Sequence, residues 1–196
     1  MNEFEKTLPL YRHTQISIEK SESASIAKML NERMEQSDED IAEISETKAS
    51  EFYRKKPEMA ALLRRCENTL GLPADDAQII ACKWTWAHVD ITYKKYLFVS
   101  VVLSTGPRPY CIQALRTSQV RGEDLEETKR FVSVGDVFVL DPGVAHIAAP
   151  VVPDNDSLLV IAQWAVPAAT YEERQAFYNR FHRAEQDSNQ SSWMDF

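Results

Sequence analysis

Two short stretches of the sequence carry residues whose types and spacing suit metal-ion chemistry. His88 and Asp90 are separated by one residue, so on an extended strand both side chains would project from the same face. His146 ends a second stretch, residues 135–146, which has the pattern of a strand followed by a tight turn and can return the chain to the same point. Two histidines and one carboxylate, with other positions left open, are the ligand set that suits non-haem Fe(II). We therefore predict His88, Asp90 and His146 as metal ligands.

The neighbours of these ligands predict the surroundings of the site. If residues 84–90 form a regular strand, Trp84 and Trp86 share the face of His88 and would wall a partly apolar substrate pocket. Residues 137–140 are apolar on both faces, which is typical of a strand buried in a double-layered fold. Pro142 and Gly143 then predict a turn, in which proline fixes one dihedral angle and glycine permits unusual ones.

Composition limits the classes of partner. The formal net charge of −8 argues against a nucleic-acid-binding surface, because phosphate backbones are held mainly by Lys and Arg. No apolar stretch approaches the roughly 20 residues that a membrane span needs, so no membrane partner is expected. The three cysteines form no C-x-x-C motif, and we expect reduced, buried thiols in a cytoplasmic protein without a signal peptide. The oligomeric state is not predicted.

The N-terminal third of the chain predicts one strand and three helices. Residues 10–18 alternate in the manner of a strand, and residues 21–70 then contain no glycine and show helical spacing. The first helix would bury Ile26, Met29, Leu30 and Met34. A second would follow Ser37 and bury Ile41 and Ile44, with Ala49 and Phe52 extending the stripe. A third would begin at Pro57 and bury Met59, Leu62, Leu63 and Cys66.

From residue 77 the period changes to two, and turn-forming residues separate many short segments. Candidate strands cover residues 78–88, 96–103, 109–116, 130–134, 136–141 and 157–165. Thr170 and Glu173 form a capping box that predicts a C-terminal helix. The fold class is therefore α+β, an antiparallel sandwich or barrel with helices at both ends. Residues 1–76 form the N-terminal strand and helices, 77–168 the core, and 169–196 the C-terminal helix and tail.

Taken together, these motifs resemble a known superfamily. His88-Val89-Asp90, the Gly135-Asp136 pair, the Pro142-Gly143 turn and the distal His146 are similar to the double-stranded β-helix core, a jelly-roll or cupin-like barrel, of the Fe(II)- and 2-oxoglutarate-dependent dioxygenases. The resemblance covers roughly residues 78–166 and implies that the N-terminal helices buttress one sheet. It also implies the cofactors Fe(II) and 2-oxoglutarate and the hydroxylation of a small molecule or a protein side chain.

This sequence differs from many members of the family at the residue that binds 2-oxoglutarate. Many members carry an arginine about ten residues after the distal histidine, whereas residues 154–159 contain neither Arg nor Lys. Other branches take the basic residue from the fourth core strand, which makes Arg116 and Arg108 the candidates for binding the cosubstrate. Two alternatives remain open. One is a cupin-type metal-binding protein or a catalytically silent binding module of the same fold, and the other is a protein that grips a partner through the acidic residues 38–46.

Overall fold

The computed structural model describes most of the chain, in nine ranges. These are residues 10–34, 41–44, 57–85, 87–93, 95–107, 109–116, 126–152, 157–170 and 172–177. Within them lie two long helices, α1 (Lys20–Met34) and α2 (Pro57–Leu70). The strands are β1 (Leu10–Gln15), β2 (Ile41–Ile44), β3 (Gln78–Cys82), β4 (Tyr96–Ser104), β5 (Tyr110–Arg116), β6 (Glu126–Val132), β7 (Asp136–Leu140), β8 (Ala145–Pro150) and β9 (Leu159–Pro167).

These strands build two antiparallel sheets. The larger sheet has the order β1-β7-β4-β9-β3-β2, and the smaller one has the order β6-β5-β8. Among the described residues no backbone ladder joins the two sheets, so the molecule is a cupin-like β-sandwich whose barrel is not closed. The predicted α+β sandwich is confirmed at this level. The first two strands extend the larger sheet at its two edges, in addition to the strands predicted for the core.

The larger sheet is covered on both faces, which explains its apolar central strands. All five residues of β7 are buried, as the sequence predicts for residues 137–140. Along β4, Val99 and Val101 join a core under the helices, whereas Phe98 and Val102 join a second core between the sheets. The sandwich therefore has three layers, helices, larger sheet and smaller sheet, with one apolar core in each gap.

The two long helices form a buttress on the outer face of the larger sheet. α1 buries Ile26, Leu30 and Met34, which recur every four residues on one face. α2 buries Met59, Leu62, Leu63, Cys66 and Leu70, which confirms the predicted apolar stripe. No helix in the described part of the chain is both long and apolar enough to cross a membrane.

The predicted second helix is wrong where the structure describes it. Ile41–Ile44 forms β2, which pairs with β3 in antiparallel register from Ile41 opposite Cys82 to Ile44 opposite Ile79. The other edge of β3 is occupied by β9, and β2 therefore supplies the backbone partners that the free edge would lack. Tertiary pairing thus overrides a local pattern that fits a helix. Ser37, Ala49 and Phe52 lie outside the described residues.

Two predicted strands differ from the observed ones by four or more residues at one end. The strand predicted over 78–88 ends at Cys82, and the one predicted over 130–134 covers Glu126–Val132. The latter ends in a turn that holds Gly135 at φ +88°, where a side chain would collide with the carbonyl oxygen of Ile16. The buried carboxylate of Asp136 fixes this turn, since it accepts hydrogen bonds from the Ser133 amide and from the Gln15 side chain, each at 2.9 Å.

The capping box at the C-terminal helix is confirmed. The carboxylate of Glu173 accepts hydrogen bonds from the amides of Ala169 and Thr170, and the Thr170 hydroxyl accepts one from the Glu173 amide. The helical turn that follows is described over 172–177, and Phe177 packs against the core under the helices.

Candidate metal centre

The three predicted ligands lie together. Nε2 of His146 is 3.4 Å from Oδ2 of Asp90, and Nε2 of His88 is 4.0 Å from the same oxygen. One ligand atom from each of the three residues lies within 4.8 Å of the other two. Within the described ranges this is the group of His, Cys, Asp and Glu side chains with the spacing to hold a metal ion.

Backbone hydrogen bonds hold the two histidines side by side. His88 donates to the carbonyl of His146 at 3.1 Å, and His146 donates back to the carbonyl of His88 at 2.9 Å. This reciprocal pair is an antiparallel bridge, and it places the two imidazole rings 4.3 Å apart, centroid to centroid. The segment before His88 thus runs along the free edge of β8 and acts as an irregular fourth strand of the smaller sheet.

That segment contains a shift of one residue, which corrects the predicted strand parity. If His88 lies opposite His146, regular pairing would set residue 86 opposite Ala148, yet Thr85 donates its amide to the Ala148 carbonyl at 2.8 Å. An extra residue of this kind is a β-bulge, and it reverses which side chains face inward. Thr85 lines the cavity with His88 and Asp90, while Trp84 is half-buried and is not among the described lining residues. Trp86 lies outside the described residues.

The turn between β7 and β8 positions the ligands through its backbone. It is closed by the Val144 amide, which donates to the Asp141 carbonyl at 3.1 Å. The next carbonyl, that of Pro142, accepts the amide of Asp90 at 3.0 Å and so fixes the chain at this ligand. Gly143 donates to the Asp141 carboxylate at 2.9 Å and does not adopt a positive φ, so the expectation of unusual dihedral angles there is wrong.

The same turn determines how His146 can bind an ion. Nδ1 of His146 lies 2.9 Å from the carbonyl oxygen of Val144. A carbonyl oxygen only accepts hydrogen bonds, so Nδ1 must carry a proton and donate it. The neutral ring therefore keeps its lone pair on Nε2, the atom nearest Asp90. A histidine that donates from one ring nitrogen to a backbone carbonyl and directs the other towards a possible ion site has the usual arrangement of a metal ligand.

The charges of the group favour an ionised carboxylate. The pKa of Asp90 is lowered, first through its contact with the His146 side chain and further by the nearby His88 ring, while burial acts in the opposite direction. Exposure of the side chains differs, at 41% for His88, 31% for Asp90 and 10% for His146. Of the three candidate ligands, His146 is thus the buried one, and His88 and Asp90 are partly exposed to solvent.

The donor set fits an octahedral ion. Ligand atoms about 2.1 Å from one ion and at right angles to each other lie about 3 Å apart. The separations of 3.4 and 4.0 Å from Asp90 exceed this by about 1 Å or less, and the three ligand atoms all lie within 4.8 Å of one another.

A cavity of about 270 Å³ lies between the two sheets and opens at these residues. Its walls are mainly apolar and come from both sheets. Besides the three candidate ligands, the polar exceptions are Thr85, Tyr93, Gln78 and Gln163. The lining residues in the described chain include no Lys or Arg. The apolar part of the wall consists of Ile80, Cys82, Phe98, Ile112, Phe138, Leu140, Ile147, Ala148, Leu159 and Ile161.

The candidate anchors for 2-oxoglutarate stay predictions. Arg108 and the side chain of Arg116 lie outside the described residues. The backbone of Arg116 ends β5, two positions after Ala114, which is paired with His146. The hydroxyl of Tyr110 donates to the Lys83 carbonyl at 2.7 Å and so serves the loop before the bulge.

Sequence reasoning missed a contact that supports the turn. Arg174, from the C-terminal helical turn, forms an ion pair with Asp141 and also donates to the carbonyl of Ala168 at 3.0 Å. Both partners of the ion pair are largely buried, with 12% and 22% of their side chains exposed. The Asp-Pro-Gly triplet signals a turn, but nothing in the local sequence indicates a cation 33 residues away.

Comparisons with known proteins give similar folds without a family. No protein-family model matches the sequence, and no curated protein matches it. Among solved structures, the non-haem alpha-ketoglutarate-dependent epimerase SnoN from nogalamycin biosynthesis has 14% identity and a TM-score of 0.48, over 83% of this chain and 79% of that one. The carbocyclase SnoK from the same biosynthesis has 16% identity and a TM-score of 0.48, over 85% and 82%.

The Drosophila melanogaster CENP-C cupin domain has 15% identity and a TM-score of 0.33, over 46% of this chain and 59% of that one. At such scores the similarities assign no activity to this chain. The functional proposal therefore depends on the residues of the site.

Proposed function

We propose that this protein is a non-haem Fe(II)-dependent oxygenase that uses 2-oxoglutarate as cosubstrate. The observation that supports the proposal most directly is the grouping of His88, Asp90 and His146 at the mouth of an apolar cavity. Two histidines and one carboxylate on one side of an ion are the facial arrangement of non-haem iron oxygenases. The cosubstrate is inferred from the resemblance of the sequence motifs.

The chain's own residues would hold and shield the ion. Nε2 of His146 is oriented by the Val144 carbonyl, and Asp90 is ionised and fixed by the Pro142 carbonyl. Bound Fe(II) and 2-oxoglutarate would supply the oxidation, in which 2-oxoglutarate and O₂ give succinate, CO₂ and one oxygen atom inserted into a substrate C–H bond. The apolar walls exclude water from the place where that substrate lies.

The anchor for the distal carboxylate of 2-oxoglutarate must come from a basic side chain. Arg116 is the favoured candidate because its backbone lies two positions from the residue paired with His146, and Arg108 is the second candidate. Loss of a charged hydrogen bond costs about 1.5–3 kcal/mol, so replacing the correct arginine by Gln should weaken 2-oxoglutarate binding about 10- to 150-fold.

The test is metal and cosubstrate binding under anaerobic conditions. The full chain with Fe(II) and 2-oxoglutarate should develop the weak visible charge-transfer band of a chelated cosubstrate. His88→Ala, Asp90→Ala and His146→Ala should lose both the band and stoichiometric iron. Val89→Ala is the matched control, because Val89 lies between two ligands, is exposed and offers no ligand atom. Unchanged iron content in all three ligand variants would refute the site.

A second candidate function is favoured by one observation. The described cavity wall has no cation to balance a second carboxylate. A cupin-type metal-binding protein without 2-oxoglutarate would need none. Tight iron binding that His88→Ala abolishes, combined with no charge-transfer band and no effect of Arg116→Gln or Arg108→Gln, would establish this alternative over the oxygenase.

A further inference from the structure

A row of polar side chains crosses the cavity face of the larger sheet. Gln78 lies opposite Gln163 in the β3–β9 ladder, and Gln163 lies opposite Ser100 in the β9–β4 ladder. Both glutamines line the cavity and are half-buried, while Ser100 is fully buried beside them. The next lining residues along β3 and β9, Ile80 and Ile161, are apolar. The row is thus a polar site within an apolar wall.

The two carboxamides of this row have hydrogen-bonding capacity left over. Nε2 of Gln163 donates to the Ser100 hydroxyl oxygen at 3.2 Å, which orients the side chain and leaves its carbonyl oxygen for a ligand. The Gln78 side chain makes no hydrogen bond to any other residue in the described part of the chain. A half-buried amide is costly without a partner, and water fills that role only until a matching ligand displaces it.

The polar row and the metal-ligand group stand on different layers. Gln78 and Gln163 belong to the larger sheet, whereas His88 and His146 lie at the edge of the smaller one. Packed sheets are about 10 Å apart, so a molecule of roughly that length can contact both. Between them the wall is formed by aromatic and aliphatic side chains such as Phe98, and the only formal charges in the described lining belong to the ligand group itself.

We propose that the cavity binds a neutral, largely apolar organic substrate that presents an amide-like group to Gln78 and Gln163. Two carboxamides offer both donors and acceptors, so a group with one of each satisfies them. A carboxylate would enter an apolar wall without a counter-charge, and a hydrocarbon would leave the glutamines unpaired. Pairing at the row directs the other end of the molecule towards His88, Asp90 and His146. The role of this molecule as substrate rests on the proposed oxygenase function.

Three probes of nearly equal shape test the inference on the metal-free full chain. 2-Naphthamide, 2-naphthoate and 2-methylnaphthalene differ only in carrying an amide, a carboxylate or a methyl group. By titration calorimetry or ligand-observed NMR, we expect the amide to bind about tenfold more tightly than the other two, as one or two added hydrogen bonds imply. Equal binding of the three probes, or stronger binding of naphthoate, would overturn the inference.

Variants locate the binding to the polar row. Gln78→Met and Gln163→Met keep the length of the side chain and should each weaken 2-naphthamide about five- to tenfold without weakening 2-methylnaphthalene. Gln113→Met is the control, since Gln113 is a half-buried strand glutamine outside the cavity lining. If Gln163→Met does not fold because the contact with Ser100 is lost, Gln78→Met alone tests the site. An unchanged preference of Gln78→Met for the amide probe would refute the site.

This outcome is separable from that of the proposed function. Iron content and the charge-transfer band report the ligand group, whereas probe binding to metal-free protein reports the glutamine row. Normal probe selectivity with no iron binding would leave the binding site in place and remove the oxygenase. Iron binding without a preference for the amide probe would leave the proposed oxygenase in place and remove the glutamine site.

Discussion

At the scale of single residues, the ligand group depends on backbone atoms that no side-chain substitution removes. The carbonyls of Val144 and Pro142 orient His146 and Asp90, and the amides of His88 and His146 join the two histidines. The site is therefore fixed by the path of the turn and the bridge. Side chains act on it by holding that path in place.

Gly135 is one such residue, because its position admits no side chain. A Cβ there would lie 2.2 Å from the carbonyl oxygen of Ile16, and the φ of +88° is itself unfavourable for other residues. We expect Gly135→Ala to lower the free energy of unfolding by about 2–4 kcal/mol, measured by urea denaturation. This combines backbone strain with displacement of β1 from β7.

Gly106→Ala separates the two contributions. Gly106 also has a positive φ, of 62°, but lies in an exposed turn. Gly106→Ala should therefore lower the free energy of unfolding only by the cost of the backbone conformation, about 1 kcal/mol. Similar losses in the two variants would show that the approach of Ile16 does not matter at Gly135.

The sequence predicted that His88, Asp90 and His146 lie together but not what surrounds them. His88, Asp90 and His146 could be grouped because a short spacing and a strand-turn pattern are local features. Thr85 could not be distinguished from Trp84, because a bulge is a property of the pairing with Ala148 and leaves no mark on the sequence. Gln78 and Gln163 are recognisable only after their register places them side by side.

At the scale of elements, the C-terminal helical turn is tied to the turn that carries the ligands. Arg174 pairs with Asp141, and Asp141 in turn holds the Gly143 amide and the Val144 amide. We expect Arg174→Gln to weaken binding of Fe(II), or of Co(II) as its spectroscopic substitute, by about tenfold, the lower end of the effect of outer-shell partners. The measurement is competition with a metal chelator.

Two further variants test the specificity of this link. Arg174→Lys keeps the charge but not the planar fork, and it should recover part of the affinity. Glu173→Gln alters the cap of the same helical turn and does not touch Asp141, so it should leave the metal affinity nearly unchanged. A loss of affinity as large in Glu173→Gln would mean that the helical turn as a whole, and not the ion pair, supports the site.

The contact between α1 and α2 predicts a pH dependence. The pKa of Glu22 is lowered, chiefly by hydrogen bonds from Arg65, whose guanidinium donates to both carboxylate oxygens at 2.7 Å. A lowered pKa in the folded state adds stability above the unfolded value of about 4.3, and this is lost as pH falls through the folded value. Because Arg65 is 41% exposed, Glu22→Gln should cost only about 0.5–1 kcal/mol at pH 7.

Urea denaturation at pH 7 and at about pH 3 measures this difference. The gap between wild type and Glu22→Gln should narrow as Glu22 becomes protonated in the wild type. Glu32→Gln is the control, since Glu32 is an exposed residue of the same helix and forms no ion pair with a described residue. If the difference in the free energy of unfolding stays constant with pH, the lost stability comes from the cap that Glu22 forms with the Glu19 amide.

The two long helices could be predicted from local sequence patterns, whereas the short segment 41–44 could not. α1 and α2 are long and bury regular stripes, so their sequences specify them without knowledge of the fold. Ile41–Ile44 is too short for such a stripe, and the free edge of β3 decided its structure. The predicted ends of the strands over 78–88 and 130–134 are wrong for the same reason, because each strand ends where its neighbour no longer pairs with it.

At the scale of the whole molecule, the larger sheet separates two cores with different roles. The core beneath the helices is continuous and closely covered, and it includes Leu62 and Leu63 without exposed surface. The core between the sheets borders the cavity, and its residues Ile161 and Leu159 face that space. The same sheet thus supplies stability on one face and a binding volume on the other.

Truncation of one residue in each core should reveal this division. Leu62→Ala removes atoms from a filled core and should lower the free energy of unfolding by about 2–5 kcal/mol, with little effect on ligand binding. Ile161→Ala enlarges a cavity that already exists, so the added cavity term is small and the loss should be about 1–2 kcal/mol. Urea denaturation gives both values, and 2-naphthamide titration should change only for Ile161→Ala. Equal losses of stability would mean that the space between the sheets is filled by side chains in solution, and the cavity could then hold no substrate.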